Sequence, residues 1–469
     1  MRCLWLGDDV PVRELDAALP SVGVDGLAAL GVIERAGGEA RPLLTIRPHA
    51  FADVLGTGEW WIASDLDELS GVRPLRERHV LGVGGAARTL ARLLPRVAAG
   101  AALDLGTGCG IIALHLRRFA ERVVATDVSE RALRIAALTL ALNDVDGVEL
   151  RRGSLFAPVA GERFDLVASN PPFVITPRAE GVPAFEYRDG GRAGDALMAS
   201  VVSGAAAHLA PGGQARMLGN WESTDAARGL ERALAWADPS LDAWVLEREA
   251  LSPVDYAELW LRDGGTLPSD DGHDALLDAW LDDFAARGTT GIGMGWVALR
   301  APAAGDPAAA PTGAPTGAPT CAPATRRAER IPHSVDLAHV GAHLADALET
   351  EAALARLDDD ALADARLTTA PDVTEARHQR PGAEGPNVIE LRQGSGLGRT
   401  ISVDPALAAL VGACDGELAV GALIAAIAEL LEVDAAALRA DLLPRVRELV
   451  RTGFLQLPAE PAPAPAPAH

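Results

Sequence analysis

Apolar residues recur at two periods in the first seventy positions. Val12–Leu19 and Val24–Leu30 carry them at helical spacing, with a Ser-Val-Gly turn between. Gly37-Gly38 then leads into Arg41-Pro-Leu-Leu-Thr-Ile-Arg47, which reads as a strand, as does Trp60–Ala63. From about residue 75 short apolar runs alternate with amphipathic stretches. Strands are expected at Ala101–Leu105, Arg122–Thr126, Val148–Arg152, Phe164–Ser169, Gln214–Gly219, Leu241–Arg248 and Gly293–Arg300. Helices are expected at Ile111–Phe119, Ser129–Leu142, Ala193–Leu209 and Ala275–Arg287, the second with Ser129 as N-cap and Glu130 in its first turn. This rhythm predicts a parallel sheet covered by helices on both faces. Beyond residue 330 the spacing is mainly helical, over Leu337–Leu357, Ala419–Leu431 and Ala435–Thr452, with one strand at Arg399–Val403. No cluster of catalytic residue types falls in that last block.

Composition sets the boundaries between these regions. Residues 301–325 repeat Pro-Thr-Gly-Ala and hold almost no charge or large apolar side chain. Such a stretch buries too little to offset its ordering entropy, so a semi-extended linker is expected. The ending Pro-Ala-Glu-Pro-Ala-Pro-Ala-Pro-Ala-Pro-Ala-His is a second segment of that kind. The expected organisation is a block at 1–74, a domain at 75–300, a linker at 301–329, a block at 330–456 and a tail at 457–469. Two helices and a hairpin make the first block winged-helix-like, and a packing cap for its neighbour is an equal alternative. The last block is mainly helical and also winged-helix-like.

The four cysteines (Cys3, Cys109, Cys321, Cys414) stand alone and form no CxxC. Free thiols in a reducing cytoplasm are expected, with no metal. No window of eighteen uninterrupted apolar residues offers a membrane span, and the first apolar run is too short for a signal peptide. Net charge is −23, and every basic residue is arginine. Bulk acidity gives no long-range attraction to nucleic acid, although a local arginine patch is still compatible with binding it.

The candidate chemistry lies between residues 104 and 173. Asp104-Leu-Gly106-Thr107-Gly108-Cys-Gly110 joins a strand to a helix, and its glycines permit a tight turn and close backbone approach to a ligand. The spacing is GxGxG, not the GxGxxG of dinucleotide folds. Asp127 ends the next strand, where a carboxylate can accept both hydroxyls of a ribose. Asn170-Pro171-Pro172-Phe173 follows the fourth strand of the domain. Two prolines hold the backbone extended. Asn170 Oδ1 and the Pro171 carbonyl can each accept one N–H of a planar nitrogen, which leaves its lone pair free to attack, and Phe173 can stack on the planar group.

In this order, the GxGxG loop, the ribose acid and Asn-Pro-Pro-Phe resemble class I S-adenosylmethionine-dependent methyltransferases acting on amino or amide nitrogens. That group includes adenine-N6 and guanine-N2 methyltransferases of DNA and ribosomal RNA, small methyltransferase domains, and HemK-like glutamine methyltransferases of release factors. The resemblance covers about residues 75–300 and implies a Rossmann-like seven-stranded α/β sheet with S-adenosylmethionine as cofactor. It implies that Gly106, Thr107, Gly108 and Gly110 flank the methionine part of the cofactor and that Asp127 holds its ribose. Asp104 would lie under the amino group, and Ser154 and Leu155 would stand at the adenine, with Ser154 in place of a usual acid. Asn170, Pro171, Pro172 and Phe173 would be the catalytic set.

The glycine-rich segment from His79 to Gly85 is either a closure over the cofactor or a plain loop. Val174–Arg192 is either a substrate lid or a solvated loop. The implied partner is nucleic acid, RNA or DNA, which the N-terminal block favours, or a protein such as a release factor, which the acidity favours. No membrane partner is expected. A non-catalytic cofactor-binding scaffold is the competing class.

Overall fold

The computed structural model describes residues 1–67, 70, 78–179, 181–183, 185–224, 228–303 and 325–458. Most of the expected linker, with Cys321, and of the expected tail lies outside them. The described residues up to 303, together with 326–333, form one compact unit, and those from 334 onward form a second.

An eight-stranded sheet organises the first unit. Its strands are β1 (Ala99–Leu105), β2 (Ala120–Asp127), β3 (Val148–Arg152), β4 (Phe164–Ser169), β5 (Leu209–Ser223), β6 (Asp242–Leu251), β7 (Gly291–Arg300) and β8 (Arg326–Arg330). Their spatial order is β8-β6-β7-β5-β4-β1-β2-β3. The expected α/β methyltransferase sheet is present, with two departures. First, the sheet is mixed, because β7 runs antiparallel to both β5 and β6. Second, an eighth strand joins the seven expected. Residues 326–329, expected as linker, pair in parallel with β6 as part of β8. Arg326 donates to the carbonyls of Leu234, Ala237 and Asp238, and Arg327 lies over the Trp244 ring at 4.4 Å. The arginines that make this stretch read as solvated are what attach it to the sheet edge.

The helices of the unit are α1 (Gly85–Leu93), α2 (Ile111–Arg117), α3 (Glu130–Leu142), α4 (Ala196–Gly204), α5 (Arg228–Ala235), α6 (Pro253–Asp263) and α7 (His273–Arg287). The core under the site is apolar and fully enclosed. Leu103, Val167, Met198, Val201, Met217 and Trp221 meet there from β1, β4, α4 and β5. At roughly 1.5–3 kcal/mol per buried large side chain, this cluster holds the strand ends in place.

Upstream, short helices at Val12–Ala18 and Gly23–Ala29 pack beside a three-stranded sheet of Val10–Pro11, Glu39–Pro42 and Ile33–Ala36. The strand expected over 41–47 is divided at Leu43. Its second part, Leu44–Asp53, forms a long hairpin with Gly56–Asp65. That hairpin docks on the sheet's helices. Asn143 at the end of α3 exchanges two 2.8 Å hydrogen bonds with the backbone of Trp61, and Asp53 pairs with Arg118.

The second unit has helices at Val340–Leu354, Asp359–Asp364, Pro405–Ala413, Val420–Leu431 and Ala435–Arg451. Leu362, Leu410, Ile424, Leu442, Val446 and Phe454 form its core. It is less purely helical than expected. Val388–Gln393 pairs with Val373–His378 on one side and with the expected strand at Thr400–Val403 on the other, in an antiparallel sheet. The alternation of polar and charged residues in the first two hid them from a reading based on apolar runs. Among the described residues no helix is long and apolar enough to cross a membrane.

Candidate active site

β1, β2 and β4 end level with one another, since Leu105 pairs with Thr126 on one side and Ser169 on the other. Ser169 Oγ reinforces this by donating to the Leu105 carbonyl at 2.8 Å. The chain then turns sharply. Gly106 and Thr107 both donate their N–H to the Thr126 carbonyl at 2.9 Å. Gly106, Gly108 and Gly110 have φ of 85°, 54° and 87°, values at which a Cβ is strained. A Cβ on Gly106 or Gly108 would meet no atom within 4 Å, so the loop presents open backbone. At Gly110 it would lie 3.3 Å from Ala136 of α3, so this glycine permits helix packing.

A cavity of about 430 Å³ opens beside this loop. That volume falls within the ~300–1,000 Å³ typical of small-molecule sites. Gly106, Thr107, Gly108, Asp127, Ser154, Leu155, Asn170, Pro171 and Pro172 line it. The strand-end geometry therefore gathers nine of the twelve residues singled out in the sequence. The other three lie off its surface. Asp104 is buried beneath the loop, where its Oδ2 accepts the Thr107 hydroxyl at 2.6 Å. Burial pushes this carboxyl up to about 7. It supports the turn and does not face the cavity. Gly110 is the packing glycine. Phe173 rests against the cluster of Val174, Ile175, Tyr256 and Trp280, with its ring edge-on to Trp260 at 6.4 Å.

Asp127 does double duty at the cavity wall. Its Oδ2 accepts the Gly108 N–H at 3.0 Å and its Oδ1 the Ser129 N–H at 2.9 Å. Ser129 occupies the expected N-cap position of α3, but its own side chain makes no capping bond. Burial raises the Asp127 carboxyl above the usual range, these backbone donors pull it down, and nearby Glu186 raises it further. At Asn170 the situation is reversed. Its Oδ1 is buried and has no hydrogen-bond partner. An acceptor left unpaired in this way costs roughly 1–3 kcal/mol.

Two further walls come from segments the sequence left open. Residues 79–82 and 84 line the cavity, so the upstream glycine segment is part of it. Asp65 at the end of the N-terminal hairpin holds that segment. Its Oδ2 accepts the Val80 N–H at 2.8 Å, and its carboxylate pairs with Arg131 of α3. Downstream, Glu186, Tyr187 and Asp189–Gly191 close another side.

The downstream stretch is braced, not loosely solvated. Arg188 is buried, stacks on Phe185 at 4.6 Å, and donates to Asp263 and the Trp260 carbonyl at 2.7 and 2.8 Å. Asp189 pairs with Arg178. Tyr256 Oη accepts from Ile175 N–H at 3.1 Å and from Asn220 Nδ2 at 2.7 Å, and burial pushes its hydroxyl pKa far up. Arg188 was read only as one of the polar residues of the 174–192 loop, and Asp65, Asn220 and Tyr256 were not singled out in the sequence. Only α6, which carries Tyr256, had a readable local signal: Ser252 followed by Pro253, with Ser252 Oγ accepting the Asp255 N–H at 3.1 Å.

Residues 82–235 match a family model described as the methyltransferase small domain. That stretch of the chain is similar to the methyltransferase small domain. Its boundaries take in the glycine loop, Asp127 and Asn170, and S-adenosylmethionine is the cofactor of such a domain. Two domains of unknown function match residues 1–43 and 348–457.

Among curated relatives, the methyltransferase domain is similar to the release factor glutamine methyltransferase of Xylella fastidiosa. The two are 39% identical over 136 residues, covering 27% of this chain and 49% of the relative. The release factor glutamine methyltransferase of Cereibacter sphaeroides is 37% identical over 190 residues, covering 38% and 59%. The ribosomal protein uL3 glutamine methyltransferase of Xanthomonas campestris is 35% identical over 120 residues, covering 24% and 39%. The chain spans about half the length of the curated relatives it matches first. Among solved structures, a methyltransferase from Pyrococcus furiosus is similar over 45% of this chain and 80% of that one, at 17% identity and a TM-score of 0.27.

Proposed function

We propose that the cavity binds S-adenosylmethionine and that the domain transfers its methyl group to the side-chain amide nitrogen of a protein, with glutamine as the residue class. The unpaired, buried Oδ1 of Asn170 carries this reading. Cofactor binding alone gives no reason for an acceptor at that position, which argues against a scaffold. The donor set fits the cofactor: an open glycine backbone at 106–108, a carboxylate at Asp127, and Ser154 and Leu155 at the far side of the same cavity. In this assignment residues 106–108 cradle the methionine part, Asp127 accepts from the ribose, and Ser154 and Leu155 stand at the adenine. Asp104 and Gly110 support the loop from behind.

When bound, S-adenosylmethionine supplies a methyl group on a positively charged sulfur. Asn170 Oδ1 accepts one N–H of the substrate amide and the Pro171 carbonyl accepts the other. With both hydrogens held, the nitrogen is oriented for in-line attack. The product nitrogen then loses a proton to solvent, so no strong base is needed.

The sequence favoured a nucleic-acid base, but the protein amide is the better-supported target. The curated relatives are named as glutamine methyltransferases. Phe173 is absent from the cavity lining, where a base would need its face. The net charge of −23 opposes a polyanion. The test is to incubate the full chain and labelled cofactor in parallel with cellular proteins, ribosomal RNA and DNA. Label in protein, located on glutamine by mass spectrometry, is expected. Label confined to RNA or DNA overturns the substrate class, and cofactor binding without transfer to any of the three points to the scaffold.

A further inference from the structure

The charges around the cavity are unevenly compensated. Apart from His79, Cys109 and Tyr187, the ionisable groups among its described lining residues are the acids Asp127, Glu186 and Asp189, with no arginine among them. Asp127 is partly neutralised by two backbone N–H donors, from Gly108 and Ser129. Asp189 is neutralised by Arg178 and by the Gly191 N–H at 2.9 Å. Glu186 is exposed and makes no hydrogen bond or ion pair among the described residues. Its charge reaches into the cavity all the same, since it helps to hold the Asp127 carboxyl above its usual range. The buried Phe185 just before it in the chain, and the braces at Arg188 and Asp189 just after it, fix the backbone that carries it.

We infer that Glu186 makes the cavity discriminate between the cofactor and its spent form by charge. This inference rests on the cofactor assignment above. Transfer breaks the bond from methyl carbon to sulfur and forms one from carbon to nitrogen. The electron pair of the broken bond returns to sulfur, so a sulfonium becomes a neutral thioether. The two molecules otherwise share the same groups. A carboxylate without a fixed counter-ion attracts the sulfonium form and does nothing for the thioether, which favours loading and product release. Asp127 bonds the loop with both oxygens and, in this assignment, the ribose as well, and that hydroxyl-accepting role is the same for both molecules.

The experiment is calorimetric titration of the wild-type full chain and Glu186→Gln with S-adenosylmethionine and with S-adenosylhomocysteine. The substitution preserves size, and the side chain is exposed, so folding is retained. The ratio of the two affinities should fall about three- to tenfold in the variant, the range for a unit charge several ångströms away in a largely aqueous dielectric. Most of the change should be in the sulfonium ligand. An unchanged ratio, whatever the absolute affinities, overturns the inference and leaves the cofactor assignment standing. A wild-type protein that binds neither ligand overturns the assignment and this inference with it.

Discussion

The cavity wall formed by the strand ends is held by backbone, and the wall carried by residues 185–191 is held by side chains. In the first, Gly106 and Thr107 hang from the Thr126 carbonyl and Asp127 gathers two N–H groups, so local conformation sets the geometry. In the second, Arg188 reaches α6 through Asp263 and Trp260, and Asp189 reaches back to Arg178. A wall made by local conformation suits parts common to every turnover, such as a cofactor's backbone contacts. A wall made by long side-chain braces can change its lining without disturbing the turn. In the proposed reading, residues 106–108 and Asp127 of the first wall meet the cofactor, Asn170 of the same wall meets the substrate amide, and Glu186 of the second wall reads the cofactor's charge.

Substitution of Asn170 should separate these roles most sharply. Asn170→Ala is expected to leave cofactor affinity within about twofold and to reduce turnover on the order of a hundredfold or more, the typical cost of misplacing a reacting atom by about 1 Å. Radiolabel transfer and calorimetry on the same preparation check both halves. Full activity would remove Asn170 from catalysis. Asp127→Ala should show the converse. It removes the proposed ribose acceptor and also leaves the Gly108 and Ser129 N–H groups without their partner. Cofactor binding should weaken by about 1.5–3 kcal/mol per charged hydrogen bond. An unchanged dissociation constant would place the ribose elsewhere.

The same contrast explains what could be read from the sequence. The strand-end wall was legible because its determinants are local: glycines where φ is positive, an acid at a strand end, Asn-Pro-Pro after the next. Nine of its residues meet at the cavity for that reason. Spacing alone cannot tell an acid facing a ligand from one tying down the loop, and it does not show the bond from Thr107 to Asp104. Nor does it show the packing of Phe173 on a cluster whose Tyr256 and Trp280 come from α6 and α7, about a hundred residues away in the chain. Asp65 and the bracing role of Arg188 were invisible for the same reason. Their partners, Val80, Arg131 and Asp263, are brought near only by the finished fold. β8 was missed because arginine-rich edge strands read as solvated.

Asp104 also gives the strand-end wall a dependence on pH. Its carboxyl stands at about 7 in the fold against an ordinary value of 3.8. Between those values the folded protein keeps a proton that the unfolded chain has lost. Stability should therefore fall as pH rises through that window and level off above it, with a slope of at most about 1.4 kcal/mol per pH unit. Asp104→Asn keeps an acceptor for Thr107 and cannot ionise. Urea unfolding at several pH values should show a shallower fall for the variant across the window. Parallel profiles for the two proteins would mean that Asp104 is ionised in the fold and that its burial is compensated.

The smallest expected effect is the one that tests the substrate class. Phe173 packs on the Tyr256 and Trp280 cluster and meets Trp260 edge-on, so Phe173→Ala removes packing behind the cavity wall. That loss should show in thermal unfolding. What it does to substrate affinity depends on what the cavity receives. A nucleic-acid base stacked on the ring would lose roughly 1–3 kcal/mol on truncation. A side-chain amide presents little π surface and reaches Asn170 and the Pro171 carbonyl through its hydrogens, so KM for a protein substrate should change by less than about threefold while kcat falls modestly through the loosened wall. The measurement is KM and kcat on the methylated protein, with wild type and variant compared below the unfolding temperature of the variant. A rise in KM of tenfold or more would mean that the ring turns into the cavity to hold a flat substrate. The base reading would then replace the amide one, even though Asn170 would keep the same role in both.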